Sequence, residues 1–337
     1  MTRSTIIYAL LLLIMMGFGF TSCSSDDDDD LVGNWVERGS FEGQPRSDAV
    51  VFTVGNEAFI GTGYDGTENE RLKDFWKYDV EKDYWSQVAS LPGVSRNGAV
   101  AFGTDTKGYV GTGYDGTNRL NDFYSYDPKT NEWTSIAPFA GTARYGAVAF
   151  GINNKGYVGT GYDSNVLKDF WEYNPDTDTW TQKVSVGGSK RRDATAFVMD
   201  GKGYIVTGVD NGQYVDDFYY YIPEEDRWVA LNKIADVTDY SFDDDYSLVC
   251  INAVSFVMNG KAYITTGGPG YPGNGTWEFN PVTDRWKEKT NFEGSSRYGA
   301  VAFNINNVGY VTTGRSSGYY LDDLWTFDPD AEYEEND

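Results

Sequence analysis

The chain has 337 residues, with 51 acidic against 27 basic side chains, a net charge of -24, 16% aromatic residues and 39 glycines. That balance excludes a nucleic-acid binder, which needs a basic face, and electrostatic adhesion to anionic lipid. With no histidine at all, Ser-His-Asp and Cys-His nucleophiles and His-ligated zinc, copper or non-haem iron are excluded too.

Taken in chain order, Arg3 precedes an apolar run over residues 6–20. The run is too short to span a bilayer, which takes about 20 residues, and has the form of a signal-peptide core. Thr21-Ser22-Cys23 follows. Small residues ahead of a cysteine resemble a bacterial lipoprotein signal, which implies cleavage after residue 22 and lipid on Cys23. Phe20 departs from the leucine usual at its place. Residues 26–30 are all Asp and read as a self-repelling tether. A cysteine followed by an acidic run also resembles the surface-export signal of Bacteroidetes lipoproteins. The expected layout is a signal peptide over 1–22, lipidated Cys23 and tether over 23–30, a folded body over 31–329 and an acidic tail over 330–337. The expected location is the outer membrane, lipid-anchored and facing the cell exterior, with no other membrane contact.

Beyond residue 31 one pattern recurs six times. Its first segment closes on Phe52, Phe102, Phe150, Phe197, Phe256 and Phe303. A period of about 50 residues marks a propeller or solenoid built from one supersecondary unit. In the third copy the predicted strands are Ala147-Val148-Ala149-Phe150 (a), Gly156 to Gly161 (b), Asp169-Phe170-Trp171-Glu172-Tyr173 (c) and Thr179-Trp180-Thr181-Gln182 (d). Asn174-Pro175-Asp176-Thr177 makes the c–d turn. Small residues in a and b suit the inner part of a blade, and the large aromatics of c and d suit its wider rim. Tyr78 and Trp85, Tyr126 and Trp133, Tyr173 and Trp180, and Tyr221 and Trp228 keep one spacing, as do Phe279 and Trp286.

Glycines ending strand b, then an aromatic, then Trp at this fixed spacing resemble the kelch-repeat family. Most copies carry Gly-Thr-Gly, as at Gly61-Thr62-Gly63, where the family has Gly-Gly; only Gly267-Gly268 keeps the doublet. The resemblance implies an all-β, six-bladed propeller. The sixth copy ends at Phe327-Asp328-Pro329 without a Trp, while Asn34-Trp35-Val36-Glu37 supplies one at the other end. The N-terminal strand is therefore expected to complete the last blade and leave no open sheet edge there.

Alternating strand directions put the d–a links and b–c turns on one face, where function is expected. Strand a starts with Arg46, Arg96, Arg144, Arg191 and Arg297, and Cys250 replaces Arg in the fifth blade. Strand a is innermost, so these guanidinium groups are expected around the channel mouth, able to hold a carboxylate, a sulfate or an acidic peptide. In some kelch members arginines at this place contact acidic peptides. A second reading stays open. Strand c starts with Asp74, Asp122, Asp169, Asp217 and Asp323, and the fifth blade lacks this residue as well, having Gly275; joint absence points to Arg–Asp pairing. The b–c turns add Tyr64, Tyr114, Tyr162 and Arg315 as ligand-binding candidates, able to stack on a sugar or anchor a peptide, although Gly-Tyr-Asp-Gly is also simply a good turn. An acidic insertion over 234–248 is read as a solvated loop rather than a calcium site, and any ligand site is expected to lean toward blades four to six. Cys250 is read as a buried structural thiol.

The leading expectation is a non-catalytic module binding a glycan or protein ligand, without cofactor, metal or catalytic residues. Galactose oxidase shares kelch-type blades, but its copper site needs histidine. The Asp-box turns of sialidases are absent. A kelch-type sialic-acid mutarotase and a structural docking subunit of a surface complex are the alternatives.

Overall fold

The computed structural model describes residues 31–235, 247–270 and 273–334. The expected signal segment, Cys23, the acidic run read as a tether, residues 236–246 of the insertion and the last three residues lie outside them. The described part is a six-bladed β-propeller, with six four-stranded antiparallel sheets. Blade three shows the unit: Val148–Ile152 (a), Lys155–Gly159 (b), Phe170–Asn174 (c) and Thr179–Lys183 (d), each paired with the next. Strands a of the six blades contact one another around the axis.

The last sheet closes the ring. Asn34–Glu37 pairs antiparallel with Leu324–Asp328, with Trp35 opposite Phe327. Trp35 is fully buried against Phe256, Phe292 and Phe327, and its indole Nε1 donates to the Thr290 carbonyl at 3.3 Å.

Aromatic residues fill the wedges between blades. Phe102 and Tyr109 of blade two stack at 4.8 Å, and Trp180 of blade three packs on Phe123 and Phe139 at 5.1 and 5.0 Å. The strand-b glycines make room for this: a Cβ on Gly156 would collide with the Phe102 ring. The c–d turns also clamp neighbouring blades. Asp178, at φ 50°, accepts from the Tyr173 hydroxyl at 2.8 Å and from the Ala137 amide of the preceding blade at 2.8 Å; Asn131 does the same for Tyr126 and Ala89. Cys250 is buried, and burial pushes its thiol up to about 12, which makes it chemically inert at neutral pH.

Candidate functional site

The strand-a arginines do not circle the channel mouth. Arg46, Arg96, Arg144, Arg191 and Arg297 are 0% exposed, each folded back into its own blade. In blade three Arg144 holds Asp169 with both terminal nitrogens, at 2.6 and 2.7 Å, while Nη1 also reaches the Thr160 carbonyl and Nε the Thr142 carbonyl. Arg46–Asp74, Arg96–Asp122, Arg191–Asp217 and Arg297–Asp323 repeat the pairing. The expectation that these five arginines line a ligand site is thus corrected, because their guanidinium groups are shielded from solvent and spent on partners within the fold. Their carbonyl partners explain the choice. Thr62, Thr112, Thr160, Thr207 and Thr313 all have φ near +60°, a conformation β-branched residues avoid, and the arginine grips each of their carbonyls. Burial alone would raise Asp74 and Asp122, but the hydrogen bonds and charge of Arg46 and Arg96 hold both below the usual carboxylate range.

The mouth is lined instead by the residue two places after each of these positions: Asp48, Gly98, Gly146, Asp193, Asn252 and Gly299, all at φ between 52° and 66°. Each donates its amide to the carbonyl of the same residue in the preceding blade, at 2.8 to 3.3 Å, so the backbone closes a six-membered hydrogen-bonded ring. Only Gly, Asp and Asn occupy it, as a left-handed conformation requires. The ring encloses a cavity of about 140 Å³. Below lies a channel of about 290 Å³ walled largely by Ala and Val. The hydroxyls of Thr195 and Ser255 in that wall already donate to the Ala253 and Ala196 carbonyls.

Two carboxylates face each other across the ring, on blades one and four. Asp48 is raised above its ordinary value by burial, against the Ser47 hydroxyl and the Arg315 charge. Burial raises Asp193 as well, up to about 6, against the Arg192 charge and with the Asp48 charge adding to the rise. The Arg192 guanidinium donates to the Asp193 carboxylate.

Around the ring the b–c turns build a crown. Tyr64–Asp65 pairs with Glu70–Arg71, Val209–Asp210 with Gln213–Tyr214, and Arg315–Ser316 with Tyr319–Tyr320; the bridges Tyr114–Arg119 and Tyr162–Val166 do the same in blades two and three. The predicted Tyr64, Tyr114, Tyr162 and Arg315 all stand here, half-buried, and join residues the sequence reading passed over. Arg71 lies over Tyr64 at 5.3 Å and over Tyr114 at 5.0 Å; Arg119 lies over Tyr162 at 5.1 Å; Arg315 lies over Tyr298 at 4.4 Å. Tyr320 meets Tyr64, and Tyr145 meets both Tyr114 and Tyr162. Asp65 and Asp115 are occupied in their own turns, each accepting two backbone amides.

Among the described residues Arg71, Arg119 and Arg315 have no carboxylate within ion-pair distance, and the Nε atoms of Arg119 and Arg315 are buried without a hydrogen-bond partner. The belt runs through blades six, one, two and three, ending at Arg192 in blade four, so it does not lean toward blades four to six. Its signal in the sequence was faint. Arg71 and Arg119 immediately precede Leu72 and Leu120, a register that only the folded ribbons reveal.

A family model described as the KLHDC2/KLHL20/DRC7 Kelch-repeats domain matches residues 51–239. No curated protein matches the sequence. Among solved structures 875 chains match, the mark of a widely used scaffold. One, titled "Structure of YjhT", is 17% identical with a TM-score of 0.71, over 85% of this chain and 95% of that one; at that identity the likeness is one of fold.

Proposed function

The chain belongs to the kelch-repeat family, and on that premise we propose that it is a surface-displayed recognition module, lipid-anchored through Cys23, whose crown binds an acidic glycan. One observation carries the reading. Three half-buried guanidinium groups, Arg71, Arg119 and Arg315, have no carboxylate partner among the described residues, although the chain as a whole has 51 acidic residues. Partly desolvated charge is costly when unpaired, and a bound carboxylate or sulfate would relieve it. The tyrosines stacked between these arginines supply flat faces and hydroxyls, the mixed lining that orients a ring-shaped polar ligand. The lipoprotein signal and acidic tether support display at the outer surface.

The test is calorimetric titration with glucuronic acid, N-acetylneuraminic acid, a sulfated hexose and neutral glucose. Acidic sugars are expected to bind and glucose not. Arg119→Ala is expected to weaken acidic-sugar binding by about tenfold or more, the loss of one charge-assisted contact, with an unchanged melting temperature because Arg119 breaks no ion pair on removal. Equal binding of glucose, or full affinity in Arg119→Ala, sinks the reading.

A second reading draws on Asp193. A carboxylate raised to about 6 beside an arginine suits a general acid–base for ring-opening of an acidic sugar. Faster anomer exchange with the protein present, lost in Asp193→Asn, would favour this enzyme over the binding module.

A further inference from the structure

Outside the crown, over blade one, lies an open groove of about 470 Å³, within the range of ligand pockets. Strand c of blade one forms its floor, and the links entering and leaving that blade form its walls. Trp76 stands on the floor, half-buried, with Gln87 directly opposite on strand d. The indole is held in place by a chain of bonds. Its Nε1 donates to Asp74 at 2.6 Å, and Asp74 in turn accepts two bonds from buried Arg46, each 2.8 Å. The buried Arg–Asp pair thus fixes an aromatic platform at the surface. Ser90 and Ser95 add hydroxyls along the wall, and Arg71 lines both this groove and the crown, so the two are continuous.

We propose that this groove is a second saccharide subsite, which makes the ligand an oligosaccharide with an acidic unit at the crown and a neutral unit over Trp76. The proposal rests on the acidic-glycan reading and adds to it. A rigid indole with an adjacent carboxamide and hydroxyls matches the apolar face and hydroxyl rim of a pyranose. The groove's charges decide the second half: Glu42 and Glu70 are exposed in its lining, Lys73 is exposed beside them, Arg71 stands at the border with the crown, and Asp74 is already paired. With two acidic side chains set against two basic ones, the groove gives an anion no net pull, so the unit seated over Trp76 is neutral. An acidic peptide would gain nothing from that balance along the rest of its path.

The experiment titrates the intact protein with glucuronic acid, with a tetrasaccharide alternating glucuronic acid and N-acetylglucosamine, and with a polyglutamate peptide. The tetrasaccharide is expected to bind about tenfold or more tighter than the monosaccharide. Ser90→Trp, an exposed position whose new side chain fills the groove, is expected to erase that gain and leave monosaccharide affinity within about twofold. Gln87→Ala is expected to lose part of the gain without blocking the groove. A tetrasaccharide no tighter than the monosaccharide, or a gain that survives Ser90→Trp, overturns the subsite while monosaccharide binding lost in Arg119→Ala leaves the crown standing. Preference for polyglutamate overturns it as well, and no binding of any probe overturns both.

Discussion

At the scale of single residues, the carboxylate of Asp193 works against the fold. Its neighbours are Arg192 beside it, Asp48 across the ring and Tyr145 of the adjacent blade. Its pKa is raised by burial from 3.8 to about 6, so the folded state binds the proton more tightly than the unfolded chain does. Its ionised form therefore destabilises the fold above pH 6, and that penalty fades as pH falls toward the unfolded value. Asp193→Asn is expected to raise stability by about 1–3 kcal/mol at pH 8, with little difference near pH 4. Urea melts of both proteins at the two pH values check this; a destabilised variant at pH 8 would mean that the Arg192 pair outweighs burial. The Arg–Asp pairs have the opposite sign. Asp74 and Asp122 are held below the ordinary range, so their stabilisation is complete above about pH 4 and is lost as acid protonates them. Residues alike in type thus sit on opposite sides of the pH balance, because the bidentate Arg46 outweighs burial at Asp74, whereas burial outweighs Arg192 at Asp193.

At the scale of elements, the N-terminal strand is the part on which ring closure depends. Residues 34–37 supply the outer strand of the sixth sheet, and its N-terminal end ties in the C-terminal segment: the Gly33 amide donates to the Ala331 carbonyl at 3.0 Å, and the Glu334 amide to Asn34 Oδ1 at 2.9 Å. Lys289 of blade five reaches the Pro329 carbonyl at 2.8 Å. Trp35 fills the wedge between blades five and six, so Trp35→Ala is expected to cost about 3–5 kcal/mol, as for a large buried aromatic replaced by a methyl group. Chemical denaturation measures it. A loss below about 1 kcal/mol would be that of a surface substitution and would show that the ring holds without the strand. The two-stranded ribbons behave differently. In blades one, four and six they pair with themselves and bridge to the link entering strand a, outside the four-stranded sheets.

At the scale of the whole molecule, the propeller separates stability from recognition. The hydrogen-bonded ring, the Arg–Asp pairs and the inter-blade clamps repeat around the axis, whereas the tyrosine–arginine crown runs through only part of it. The high negative charge suits this division, since Arg71, Arg119 and Arg315, half-buried and without a carboxylate partner among the described residues, become the places where an anionic ligand is welcome. The proposed anchor has its own consequence. Cys23→Ala is expected to move the protein from the outer-membrane fraction to the soluble fraction on cell fractionation, because it removes the attachment point of the proposed lipid. Retention of Cys23→Ala in the outer membrane would rule the anchor out.

The six copies, their Gly and aromatic spacing and the displaced Trp35 determined the propeller and its closure from the sequence alone. Repetition is a one-dimensional property, and each copy must bury the same face against the next. Even the pairing of the strand-a arginines could be inferred from the fifth blade, where Cys250 and Gly275 replace both partners together. The site belongs to another kind of information. Asp48 and Asp193 lie 145 residues apart in the chain and meet only because blades one and four are opposite in a ring of six. Arg71 reaches both Tyr64, in its own ribbon, and Tyr114, in the next, a contact set by blade twist and ribbon length. Which arginines are buried and which are left without a carboxylate depends on burial and direction, and these exist only once the ring has closed.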